Sequence, residues 1–97
     1  MTKNVLITGT STGVGFESAI LFAKNNYKVY ATMRNLIKSE KLKQKIQEEN
    51  LNIEILPLDV TKIDSIESAV KTIIEIDGKI DVLVNNAGIF PASGIET

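Results

Sequence analysis

The chain has 97 residues, 11 basic against 12 acidic for a net charge of -1, and neither Cys nor His. That length holds one small domain, and its balanced, dispersed charge offers no groove for nucleic acid and no face for an anionic membrane. With no Cys or His there are no disulfides, no thiolate metal sites and no imidazole base, so protease-like triads and zinc hydrolases drop out.

The single Lys and short apolar run before Gly9 are too brief for a secretory core or a membrane span, and a soluble, cytoplasmic protein is expected. Residues 3–7 read as a first strand. A helix follows over 14–25, with Phe16, Ala19, Ile20 and Ala23 at i, i+3, i+4 and i+7. After the Asn25-Asn26 break, residues 27–33 are rich in β-branched and aromatic types and form a second strand, in which Tyr27 and Tyr30 read as packing. Asn35 is the N-cap type for a charged helix over 36–48, whose thin apolar side rests on Leu42 and Ile46. Residues 52–56 make a third strand, Pro57 ends its ladder, and Thr61 caps a helix over 62–76 striped by Ile63, Ile66, Val70 and Ile73. Asp77-Gly78 stops that helix, residues 81–84 form a fourth strand, and 89–97 read as a loop tail.

Strand-helix alternation of this kind predicts an α/β fold with a doubly wound parallel sheet, four strands in the order 3-2-1-4 and helices on both faces. Ligands in such sheets bind at the carboxyl ends of the strands, beside the reversal between strands 1 and 4. Chemistry-bearing residues gather there: Thr8-Gly9-Thr10-Ser11-Thr12-Gly13-Val14-Gly15 follows strand 1, Arg34 strand 2, Asp59 strand 3 and Asn85-Asn86-Ala87-Gly88 strand 4.

The glycine turn has the composition of a phosphate cradle. Gly9 admits a backbone conformation closed to other residues, Gly13 lets main chain approach a pyrophosphate, and Gly15 permits close helix-to-strand contact. Helix N-terminal amides then face the anion, with the Ser11 and Thr12 hydroxyls as further donors. No Lys follows the last Gly, which argues against a Walker-type triphosphate site. By itself such a turn is equally a tight strand-to-helix connection; the strand before it and the helix after it favour nucleotide binding.

Thr-Gly-x-x-x-Gly-x-Gly at 8–15, Asp59-Val60-Thr61 after the third strand and Asn85-Asn86-Ala87-Gly88 after the fourth resemble the short-chain dehydrogenase/reductase family, and among its members the NADP-preferring ones. The resemblance runs the length of the chain and implies a partial Rossmann-like domain over 1–97 that binds NADP for carbonyl reduction or alcohol oxidation by hydride transfer. It implies that Gly9, Ser11, Thr12, Gly13, Val14 and Gly15 hold the pyrophosphate. Asp59 then takes the adenine amino group, Val60 lines the adenine pocket, and Asn86, Ala87 and Gly88 pass along the ribose on the nicotinamide side. Asn85 ties the central strands together.

Charge decides between the two dinucleotides. An acidic residue at the end of strand 2 would bond the ribose 2'-OH of NAD and repel a 2'-phosphate, but the chain reads Ala31-Thr32-Met33-Arg34-Asn35. A guanidinium there can grip phosphate with paired hydrogen bonds, which favours NADP over an ordinary exposed strand-end Arg. Lys38 adds to that field or belongs, with Lys41, Lys43 and Lys45, to a solvated helix face.

The family's proton donor is a Tyr with a Lys four residues on, supported by a Ser. Four past Tyr27 stands Ala31 and four past Tyr30 stands Arg34, both in the strand-2 region, so neither Tyr transfers to that role. The resemblance therefore implies a chain that carries the cofactor-binding part, inactive alone, with no metal. An exposed fourth-strand edge and an uncovered third-helix face predict self-association. A stand-alone NADP-binding module and an interaction piece without catalysis are the alternatives.

Overall fold

The computed structural model describes residues 2–86. Strands β1 (Asn4–Ile7), β2 (Lys28–Met33), β3 (Ile53–Pro57) and β4 (Val82–Val84) pair in parallel, in the order β3-β2-β1-β4. Asn4 lies beside Lys28, Val5 beside Val82, and Met33 beside Pro57. Helices α1 (Gly13–Lys24), α2 (Glu40–Glu49) and α3 (Ile63–Asp77) connect them. The expected order and α/β class are those observed; Ala87, Gly88 and the loop expected over 89–97 lie outside the described residues.

Strand side chains alternate between faces, and each face meets its own helices. Val5, Ile7, Val29, Ala31 and Met33 pack with Ala19 and Ile20 of α1 and Leu42 of α2. Leu6 and Tyr30 pack on the opposite face with Ile73 of α3. Both sides of β1 and β2 are thereby buried, which is why apolar residues fill successive positions of both, and why the polar Asn4 and Thr32 among them are hydrogen-bonded. Of the inner stripe expected on α3, Ile73 is buried but Ile63 at the helix start is exposed, as are Ile74 and Ile76, and β4 is a sheet edge among the described residues.

Three local expectations need correction. The helix expected over 36–48 opens as a 3-10 turn, Leu36–Ser39, and α2 begins only at Glu40. Asn35 causes this: its Oδ1 accepts the Ile37 N–H at 3.0 Å and its carbonyl the Lys38 N–H at 3.1 Å, closing a three-residue turn. Thr61 does not cap α3, because its N–H and hydroxyl both donate to Asp59 Oδ1, at 3.0 and 2.6 Å. Lys62 stands at the N-cap without a side-chain bond, and Ser65 Oγ accepts the Asp59 N–H at 2.8 Å. Pro57 is the last strand residue rather than the first beyond it; on an edge strand its missing N–H removes nothing, and the Leu58 N–H bonds Met33 O at 3.0 Å.

A polar clamp closes the amino-terminal end of the sheet. Asn4 donates its N–H to Asp81 Oδ2 at 2.9 Å and its Nδ2 to Lys79 O at 2.7 Å, and its Oδ1 accepts the Asp81 N–H at 2.7 Å. The fully buried Tyr30 donates its hydroxyl to Asp77, and the Lys28 ammonium stands 3.6 Å from the same carboxylate and over the Tyr30 ring. Burial, and then the Asp77 hydrogen bond, push the Tyr30 phenol well above its ordinary pKa. The same bond, reinforced by Asn4 and Lys28, holds the Asp77 carboxyl below the usual carboxylate range, and the Asn4 N–H does the same for Asp81.

Asp77→Ala should destabilise the fold by about 1–3 kcal/mol, because it leaves the buried Tyr30 hydroxyl unpaired, whereas Tyr30→Phe should cost about 1 kcal/mol. Since the native Asp77 pKa is depressed, its contribution is complete above the unfolded value of about 3.9 and is lost as pH falls through the native value. Urea unfolding as a function of pH should therefore show a shallower acid limb for Asp77→Asn than for the parent chain.

Candidate functional site

At the opposite, carboxyl-terminal end of the sheet, Gly9, Ser11, Thr12, Arg34, Asp59, Val60 and Asn86 line one cleft of about 480 Å³. Residues from all four strand ends thus converge, as the topology requires. The remaining predicted turn residues stand behind the lining: Gly13, Val14 and Gly15 form the first turn of α1, with Val14 exposed. Ala87 and Gly88 lie outside the described residues.

The three turn glycines have separate causes. Gly9 and Gly13 take φ of 68° and 64°, in the left-handed region, and a Cβ on Gly13 would meet nothing within 4 Å. Gly15 is constrained by space instead, because a Cβ there would fall 2.1 Å from Gly9 O and 2.7 Å from Asn86 Nδ2. Thr12 at the N-cap makes no side-chain bond to the α1 amides, and the first turn carries no acidic residue. That helix end thus keeps its positive potential for an anion.

Thr8 and the two asparagines join the central strands. The Thr8 hydroxyl donates to Asn85 Oδ1 at 3.1 Å and accepts the Asn86 N–H at 3.0 Å, while Asn86 Nδ2 donates to Gly9 O at 3.1 Å. Asn85 therefore links the ends of β1 and β4, and Asn86 fixes the carbonyl of the first glycine.

Arg34, beyond the end of β2, is exposed in the same cleft and has no ion-pair partner among the described residues. Thr61, followed by the Arg34 charge, holds the Asp59 carboxyl below its ordinary pKa, so Asp59 is ionised at neutral pH. With its Oδ1 held by Thr61, Asp59 has Oδ2 left to accept a ligand N–H.

Met33, Asn35, Lys38, Leu58 and Thr61 also line the cleft and were not among the predicted site residues. Lys38 is the consequential addition. The 3-10 turn capped by Asn35 brings it to the cleft beside Arg34, away from the solvated face of Lys41 and Lys43. Asn35, a strong turn former two residues past the end of β2, was the signal for it.

A family model described as short chain dehydrogenase matches residues 3–97. An uncharacterized oxidoreductase of Staphylococcus saprophyticus is 39% identical over 94 residues, covering 97% of this chain and 37% of that protein. The 7alpha-hydroxysteroid dehydrogenase of Paraclostridium sordellii is 38% identical over 86 residues, covering 89% and 32%. Among solved structures, a hydroxysteroid dehydrogenase from Escherichia coli superposes with a TM-score of 0.82 at 31% identity, over 90% of this chain and 37% of that one. An actinorhodin polyketide ketoreductase variant solved with NADPH gives a TM-score of 0.83 at 30% identity, over 91% and 34%. The chain spans about a third of the length of the curated relatives it matches. No helix among the described residues is long and apolar enough to cross a membrane.

The glycine geometry separates two substitutions. Gly13→Ala should cost about 1–2 kcal/mol from its positive φ alone. Gly15→Ala forces backbone and the Asn86 amide apart and should cost about 3 kcal/mol or more, so its thermal midpoint by circular dichroism should fall well below that of Gly13→Ala.

Proposed function

Because the chain belongs to the short-chain dehydrogenase family, we propose that it builds the dinucleotide-holding part of an oxidoreductase that prefers NADPH to NADH. The observation that carries the reading is the pairing, in one cleft, of an uncapped α1 N-terminus with Arg34 and Lys38. These are two separate anion-binding points, and neither has an acidic residue at the place that would reject a 2'-phosphate. The open space over Gly13 leaves room for a phosphate group against the backbone.

In this assignment Gly9 to Gly15, with the Ser11 and Thr12 hydroxyls, receive the pyrophosphate, and Arg34 with Lys38 grips the 2'-phosphate. Asp59 accepts the adenine amino group on Oδ2, and Val60 supplies an apolar wall for the ring. Asn86, Ala87 and Gly88 run along the ribose on the nicotinamide side. When bound, the nicotinamide supplies hydride donor or acceptor chemistry between an alcohol and a carbonyl. This chain's residues bind and orient it. Tyr30 is sequestered in the clamp at the far end of the sheet and Tyr27 packs edge-on against Phe22, which supports assigning proton transfer to neither and expecting no turnover from the chain alone.

Titration followed by nicotinamide fluorescence tests the preference. Arg34→Ala should weaken NADPH binding by about 1.5–3 kcal/mol, on the order of 10- to 100-fold, and leave NADH nearly unchanged. Lys38→Ala should act in the same direction and less, and rising salt should shrink the advantage of NADPH. Equal losses for both cofactors would overturn the assignment. The β4 edge, unpaired among the described residues, and the exposed Ile63, Ile74 and Ile76 support self-association as part of the same reading. Sedimentation at micromolar concentration should report species larger than a monomer, and a monodisperse monomer refutes that part.

A further inference from the structure

Two buried threonines stand between the two anion-binding points. Thr10 and Thr32 are both 0% exposed. The Thr10 N–H and hydroxyl both donate to Thr32 O, at 3.1 and 3.0 Å, and the Thr32 hydroxyl donates to Ile7 O at 2.9 Å. The β1–β2 register ends at Ile7 beside Ala31, so these bonds carry on the connection just where the strand ladder stops. Beyond them the two segments diverge: Ser11, Thr12 and Gly13 follow Thr10, and Arg34 follows Thr32 by two residues.

We propose that Thr10 and Thr32 are positioning residues that set the spacing between the phosphate turn and the Arg34 site, so that a 2'-phosphorylated dinucleotide meets both at once. The inference rests on the NADPH reading above. Its physical basis is preorganisation. A ligand gripped at two points keeps the full benefit of both only if their separation is fixed before it arrives, and hydrogen bonds in a dry interior hold such a separation firmly. A ligand gripped at one point is indifferent to that spacing.

The test compares ligands of one and two anchor points. Thr10→Val keeps the branched shape and deletes the hydroxyl. It should weaken NADPH about tenfold, weaken NADH less, and leave 2'-AMP, which reaches only the Arg34 side, unchanged. Thr10→Ser restores the hydroxyl and should restore NADPH binding. Thr32→Val severs the link to Ile7 and serves as a second probe should Thr10→Val fold poorly. An unchanged ratio of NADPH to NADH affinity in the folded variants, or an equal loss for 2'-AMP, overturns the positioning role while leaving the cofactor assignment standing. A parent chain that binds NADH as tightly as NADPH overturns both.

Discussion

A space too small for a methyl group governs the architecture of the cleft. At position 15 the helix backbone lies so close to the Gly9 carbonyl and the Asn86 amide that only hydrogen fits. That contact lets the first turn of α1 sit down against the end of β1, and it lets Asn86 reach across from β4 to the same carbonyl. Turn, helix and switch-point strand are thereby joined through one atom, Gly9 O. A bulkier residue would lift α1 away, and with it the positive helix end that faces the cleft. Arg34, Asp59 and Asn86 would then stand in a cleft of altered shape.

The sheet is held polar at both ends and apolar between. β4 is only three residues long and half-buried, too short to be secured by its ladder alone. Asn4, Asp77, Lys79 and Asp81 fasten its approach, and Thr8 with Asn85 and Asn86 fastens its exit. One end is thus committed to holding the fold while the other remains available to a ligand. The cleft accordingly lies at the carboxyl-terminal end, where Arg34, Lys38 and Asp59 line it.

Much of this organisation was legible in the residues. Alternating runs and the βα pattern imply the order 3-2-1-4, and the positions where strands end bring Arg34, Asp59 and Asn86 to one end of the sheet. What stayed hidden was set by partners far away in sequence. Asp77 reads as part of a helix stop and Tyr30 as strand packing, because nothing local indicates that a carboxylate 47 residues later receives the phenol. Thr61 has the type and place of an N-cap, yet Asp59 lies nearer to its hydroxyl than the helix amides do, and local competition decided the matter. Lys38 was ambiguous because helical period puts it among the solvated lysines, and only the tighter turn imposed by Asn35 rotates it to the cleft. Thr10 and Thr32 carry no periodic signal at all; their meaning lies in a contact between two strand ends.

The two margins of the sheet differ in kind. On the β3 side Pro57 withholds an amide and Glu54 stands exposed, so an incoming strand would lose a bond and meet a charge. On the β4 side, among the described residues, Val82 to Val84 present neither obstacle. The two margins are therefore unequal in what they would ask of an added strand: the β3 side sets a missing amide and a charge against it, while Val82 to Val84 set neither.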